Sequence, residues 1–120
     1  MAKSRSELTS MKCVPCRGGI PPLQPDKIEK MMNIVEDWKL NSGPDRITKM
    51  YKFKDFKHAM TFVNKVANIA EQEGHHPDIS ISWNKVTLTL WTHAISGLHE
   101  NDFIMAAKID EMLEKSKSEE

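Results

Sequence analysis

The stretch from Asp55 to Gly74, DFKHAMTFVNKVANIAEQEG, constrains the fold more than any other part of the chain. Phe56, Ala59, Met60, Val63, Val66, Ala67 and Ala70 recur at helical spacing, which predicts a helix to about Glu73 with that stripe in the core. Asp55 suits the N-cap, because its carboxylate can accept an otherwise orphaned backbone N–H. Gly74 suits a left-handed C-terminal cap. Beyond Gly74 the apolar period changes from helical to alternating. Ile79, Ile81 and Trp83 alternate with Ser80 and Ser82, and Val86, Leu88 and Leu90 alternate with Thr87, Thr89 and Trp91. These are two half-buried strands, and WNKV (Trp83 to Val86) is short enough to join them as a hairpin, although Asn84-Lys85 is a weaker turn than Asn-Gly.

The upstream half gives the same kinds of signal without being an internal repeat. Pro25 fits the first position of a helix in which Ile28, Met31, Met32 and Val35 share a face. With Gln24 as cap, Leu23 and Ile28 stand where a hydrophobic staple forms. NSGPD (Asn41 to Asp45) is a turn between a short strand at Trp38–Leu40 and a longer one at Arg46–Phe53, where Ile47, Lys49, Tyr51 and Phe53 share a face. A last helix is expected from about Glu100 to Glu114. The order predicts an α+β fold: a four-stranded antiparallel sheet with three helices packed on one face, Ser80, Ser82, Thr87 and Thr89 lying on the other. Residues 1–22 read as an irregular N-terminal segment, 23–115 as the folded domain and 116–120 as a disordered tail.

At 120 residues the chain is expected to form one domain with a modest core. Lys plus Arg and Asp plus Glu are 17 each, so no net field draws the chain to nucleic acid or an anionic membrane. No apolar run is long enough for a membrane span, and MAKSRSELTS lacks the apolar core of a signal peptide. A cytoplasmic location is the expectation.

The residues able to carry chemistry gather near two element ends. His75 and His76 sit between the long helix and the first hairpin strand, ahead of Pro77, which stiffens the corner. Imidazoles titrate near neutral pH and can exchange protons with a substrate; a solvated polar corner is the competing reading. His93 follows the second hairpin strand, so the hairpin brings it to the same sheet end as His75 and His76, beside Glu71 and Asp102. That grouping points to an acid–base site. Asp102, in the first turn of the last helix, serves the helix dipole, the site, or both. Trp38 and Trp91 read first as packing residues, and His58 and His99 as residues without company. Cys13-x-x-Cys16 has no second ligand pair at zinc spacing and no βαβ unit beside it, so it reads as two ordinary thiols.

The segment EGHHPDISISWNKVTLTLWTHAISGLHENDFIMAAKID, Glu73 to Asp110, resembles the pterin-4a-carbinolamine dehydratase family. The matching features are His75-His76-Pro77, Trp83-Asn84 and Val86 of the hairpin, Thr92-His93, and Gly97-Leu98 followed by Asp102. The likeness extends over about residues 23–113, and KCVPCRGGIPPL is similar to the N-terminal segment of bacterial and plant members. It departs from the family at Gly74 and at His99, where a hydroxyl residue usually caps the last helix.

The resemblance implies dehydration of 4a-hydroxytetrahydrobiopterin to quinonoid dihydropterin and water, recycling the cofactor of aromatic amino acid hydroxylases. It implies His75, His76 and His93 as catalytic residues and Glu71, Pro77, Asp102 and Trp38 as substrate-binding residues. It also implies that pterin is the substrate, that no metal or further cofactor takes part, and that the chain is a homodimer or homotetramer. The alternative is a non-catalytic module, a transcription-factor dimerisation cofactor or an enzyme-assembly factor. A zinc protein using Cys13, Cys16 and two histidines is a third reading.

Overall fold

A computed structural model describes residues 4–15 and 18–118. The elements in chain order are α1 (Arg5–Ser10), α2 (Pro25–Met32), β1 (Lys39–Asn41), β2 (Arg46–Lys52), α3 (Phe56–Glu73), β3 (Asp78–Ser82), β4 (Lys85–Leu90), a 3-10 turn (His93–Ile95) and α4 (Glu100–Ser118). The strands form one antiparallel sheet in the order β1-β2-β4-β3, and the helices cover one face of it.

The two hairpins are joined through their inner strands: Ile47 lies opposite Leu90, and Tyr51 opposite Val86. Ile47, Tyr51, Val86, Leu88 and Leu90 are buried beneath the helices, whereas Thr48, Thr87 and Thr89 on the opposite face are half-buried. The central helix is α4. Phe103 to Ala107 and Ile109 are all buried in it, because it packs against α1, α3 and β4 together. A helix covered on several sides is apolar around most of its circumference.

Among the described residues there are four α-helices where three are expected. The additional one, α1, falls in the segment read as irregular. Ser4 caps it by accepting the Glu7 N–H at 3.3 Å, and Leu8 is fully buried against the core. Arg5 forms a two-pronged pair with Glu114 of α4, with Nη1 to Oε1 at 2.8 Å. A single apolar residue on a six-residue helix leaves no period to read. At the other end α4 continues to Ser118, past the expected limit at Glu114.

The apolar stripe of α3 also differs from expectation. Its bounds, its Asp55 cap and the left-handed Gly74 (φ 65°) are as predicted, but the buried residues are Ala59, Phe62, Val66 and Ala70. Phe56 and Ala67 are exposed, and Met60 and Val63 are half-buried. Phe62 belongs to the core because it fits between Tyr51 and Phe53, with ring centroids 4.7 and 4.9 Å away. The sheet selects the row of α3 that faces it, and the wider stripe spills onto the flank.

At the second hairpin β3 stops at Ser82, and Trp83 turns with φ 48°, so the loop is Trp83-Asn84 rather than Asn84-Lys85. Asn84 explains the shift. Its side-chain amide donates to the Phe53 carbonyl at 2.9 Å while its own carbonyl accepts the Phe53 N–H at 2.8 Å, tying the turn to the end of β2. β1 is likewise displaced by one residue from Trp38–Leu40 to Lys39–Asn41, since Trp38 points into the core.

Candidate active site

Gly74 ends α3 and reverses the chain, placing His75, His76 and Pro77 immediately before β3. Asp78 pairs with Thr89, so this corner lies beside the residues that come after β4. Trp91, Thr92 and His93 leave the sheet there, and Gly97 returns to pair with Thr92. The result is an open cleft of about 410 Å³ lined by His75, His76, Pro77, Asp78, Trp91, Thr92 and His93, with Val14, Gly74 and Ala94 completing its walls.

The three histidines sit in different surroundings. His75 is 12% exposed, and its Nε2 lies 2.6 Å from Oδ1 of Asp102, which is fully buried. The second oxygen of Asp102 accepts the Thr92 hydroxyl at 2.9 Å and the His99 backbone N–H at 3.0 Å. A carboxylate only accepts, so in this contact the Nε2 of His75 is the donor, and donors face both oxygens of Asp102. His76 Nε2 is 2.6 Å from Glu71 Oε2, but this pair stands at the rim, Glu71 being 77% exposed. His93 stacks on Trp91, with centroids 3.8 Å apart and planes at 29°. The Trp91 indole N–H donates to Asp78 Oδ2 at 3.3 Å, which fixes the platform under His93.

Asp102 stands in both settings weighed for it in the sequence, the start of α4 and the histidine cluster. It satisfies the His99 N–H, and the His99 Nδ1 in turn accepts the Asn101 N–H at 3.0 Å, a reciprocal pair resembling a capping box. The imidazole of His99 therefore caps α4 where a hydroxyl residue would otherwise do so.

The structure does not bring Trp38 to the cleft. Its indole is buried on the other side of the molecule's core and donates to Asp110 Oδ2 at 2.9 Å; Asp110 also accepts from Tyr51 Oη at 2.7 Å and Lys49 Nζ at 3.0 Å. A buried carboxylate needs such partners, and Trp38 is one of them. Trp38, expected as a substrate-binding residue, is therefore not among the residues that line this cleft. The sequence reading missed Asp78, Thr92, Val14 and the platform role of Trp91. The hairpin register held the signal for two of them, because Asp78 opposite Thr89 places Trp91 next to it.

Cys13 lies behind the cleft, its thiol directed at the Asn101 carbonyl 3.6 Å away. Burial, and then the charge of Glu73, push that thiol up to about 12, so it is held as the neutral, weakly nucleophilic form. Cys16 falls outside the described residues.

A sheet with helices on one face and a histidine–carboxylate cleft at one sheet end defines a small α+β protein whose candidate site groups side chains able to exchange protons. The comparisons narrow this class. The family model of the pterin 4 alpha carbinolamine dehydratases matches residues 21–112. A protein of Methylococcus capsulatus (strain Bath), provisionally named a pterin-4-alpha-carbinolamine dehydratase, is 47% identical over 105 residues, covering 88% of this chain and 92% of its own. A crystal structure of a transcriptional coactivator/pterin dehydratase from Brucella melitensis superposes with a TM-score of 0.72 at 33% identity, covering 76% of this chain and 97% of that one. A pterin dehydratase-like protein identified as a RuBisCO assembly factor in the alpha-carboxysome shares the fold at a TM-score of 0.56 and 23% identity, over 64% of this chain and 89% of its own. The chain belongs to the pterin-4a-carbinolamine dehydratase family.

Proposed function

We propose that this protein dehydrates a 4a-hydroxytetrahydropterin to the quinonoid dihydropterin, with His75, His76 and His93 moving the protons. The bond between C4a and the hydroxyl oxygen breaks, a neighbouring ring N–H gives up its proton, and its electron pair forms the C=N bond of the product. The departing hydroxide takes a proton and leaves as water. A base is needed at the ring nitrogen and an acid at the oxygen, each contributing on the order of 10²–10⁴-fold.

The observation that carries this reading is the His75–Asp102–Thr92 array opening onto the cleft that also holds His76 and His93. His75, with Nδ1 free to accept, is the base. His93, its ring plane set by Trp91, and His76, beside Glu71, stand as the donors for the hydroxyl. Pro77 shapes the wall between them. The acceleration of dehydration by the purified chain, and its loss in histidine variants, tests the reading.

With it go the metabolic setting and the assembly. The product is what a pterin reductase consumes, which ties the chain to an aromatic amino acid hydroxylase. A homodimer or homotetramer is supported by the uncovered edge of the sheet: β3 is exposed along its whole length, with Ile79 and Ile81 on the helix side at 38% and 39%. Among the described residues no helix is long and apolar enough to cross a membrane.

A further inference from the structure

One wall of the cleft comes from a segment far from it in sequence. Val14 lines the cleft with the three histidines, and the residue is 57% exposed. Its backbone is nonetheless held at both polar groups. The Val14 N–H donates to Asn101 Oδ1 at 3.0 Å, and the Asn101 side-chain amide donates to the Val14 carbonyl at 2.7 Å. The preceding Cys13 N–H donates to Glu73 Oε1 at 2.8 Å, and Glu73 is itself steadied by Lys108 Nζ at 3.5 Å. Asn101 is buried, so its amide has no water to fall back on, and the peptide of Val14 is what satisfies it. A side-chain amide that mimics a strand partner in this way fixes position closely.

We infer that Val14 is a substrate-contacting wall of the cleft and that Asn101 is the positioning residue that holds it there. The inference rests on the dehydratase reading above. Polar and titratable groups occupy much of the cleft, and Val14 adds apolar surface with nothing to give or take as a proton. It therefore touches a non-reacting part of the pterin and contributes equally to the ground state and the transition state, which shows in KM and not in kcat. Asn101 adjoins Asp102, so one turn of α4 sets both this wall and the His75 carboxylate.

The test is steady-state dehydration by the full chain, comparing wild type, Val14→Ala, Asn101→Ala and the double variant. Each single variant should raise KM by about tenfold, the scale of a trimmed contact in an apolar wall, with kcat kept within about twofold. The double variant should be no worse than Asn101→Ala, because Asn101 acts through Val14. Hydrogen exchange adds a readout independent of activity: the Val14 amide is protected in wild type and loses that protection in Asn101→Ala. An unchanged KM in Val14→Ala, additive effects in the double variant, or a Val14 amide protected equally with and without Asn101 would each overturn the inference. Should Asn101→Ala not fold, Val14→Glu decides: a charge in the wall must raise KM, and wild-type KM refutes the wall. A wild type that gives no acceleration ends the dehydratase reading and this inference with it, whereas an active wild type with an indifferent Val14 overturns the wall alone.

Discussion

His75 and Asp102 form the one histidine–carboxylate contact among the described residues of the cleft in which the acid is wholly buried: 2.6 Å separates Nε2 from Oδ1, with Thr92 and His99 filling the other oxygen. The contact fixes the tautomer and the ring plane together, as an orienting carboxylate does beside a general base.

Asp102→Asn should therefore reduce kcat by roughly 10²-fold, the scale of one lost acid–base role. It should also cost about 1–3 kcal/mol of stability, since the one amide oxygen that still accepts from Thr92 and His99 leaves an NH2 donor facing the Nε2–H of His75. Kinetics together with a urea melt check both. Activity within a few-fold of wild type would show that His75 does not need its carboxylate.

Trp38→Phe separates the two readings of that tryptophan. The indole N–H satisfies Asp110, so its loss should cost about 1–2 kcal/mol in a denaturant melt. Both kcat and KM should stay at wild-type values. A raised KM with unchanged stability would return Trp38 to the substrate.

Leu8→Ala tests the N-terminal helix. Leu8 is fully buried, and truncating a buried leucine costs about 2–5 kcal/mol. A residue in a loose tail would show less than about 0.5 kcal/mol. Chemical denaturation distinguishes the two outcomes directly.

The helix α3, the hairpin and the clustering of His75, His76 and His93 are legible in the sequence because each rests on a period or on a fixed register. α3 spans several turns of alternating faces, and Ile79 to Trp83 and Val86 to Leu90 each alternate strictly, so the sheet end is reached by counting. What escapes is what tertiary contact alone decides. Phe62, three positions after Ala59 and four before Val66, fits the helical period as well as the residues chosen, and only the rings of Tyr51 and Phe53 beside it decide that its row is the buried one. Leu8 is one apolar residue in a polar run. Trp38 could be placed only with Asp110, which lies 72 positions further along the chain. Val14 reaches the cleft through Asn101, again with no local signal.

Cys13 yields a prediction about pH. Its thiol moves from 9.0 in the open chain to about 12 when folded, first through burial and then through Glu73. A raised thiol contributes stability that is fully present below pH 9 and is lost as pH climbs from there toward 12. Thermal melts should therefore fall more steeply across that window in wild type than in Cys13→Ser. In a Cys16→Ser background, iodoacetamide at pH 8 should modify native Cys13 far more slowly than the unfolded chain. Equal rates would mean that the thiol is not held neutral.

The most direct measurement is the dehydration rate of a freshly generated 4a-hydroxytetrahydropterin with wild type and with His75→Ala, His76→Ala and His93→Ala. Wild type should accelerate the reaction over buffer, and His75→Ala should lose about 10²-fold or more, as removal of the base requires. His76→Ala and His93→Ala then identify the acid by which of them loses kcat. Folded wild type that leaves the buffer rate unchanged would contradict the account and favour a partner-binding role for the chain.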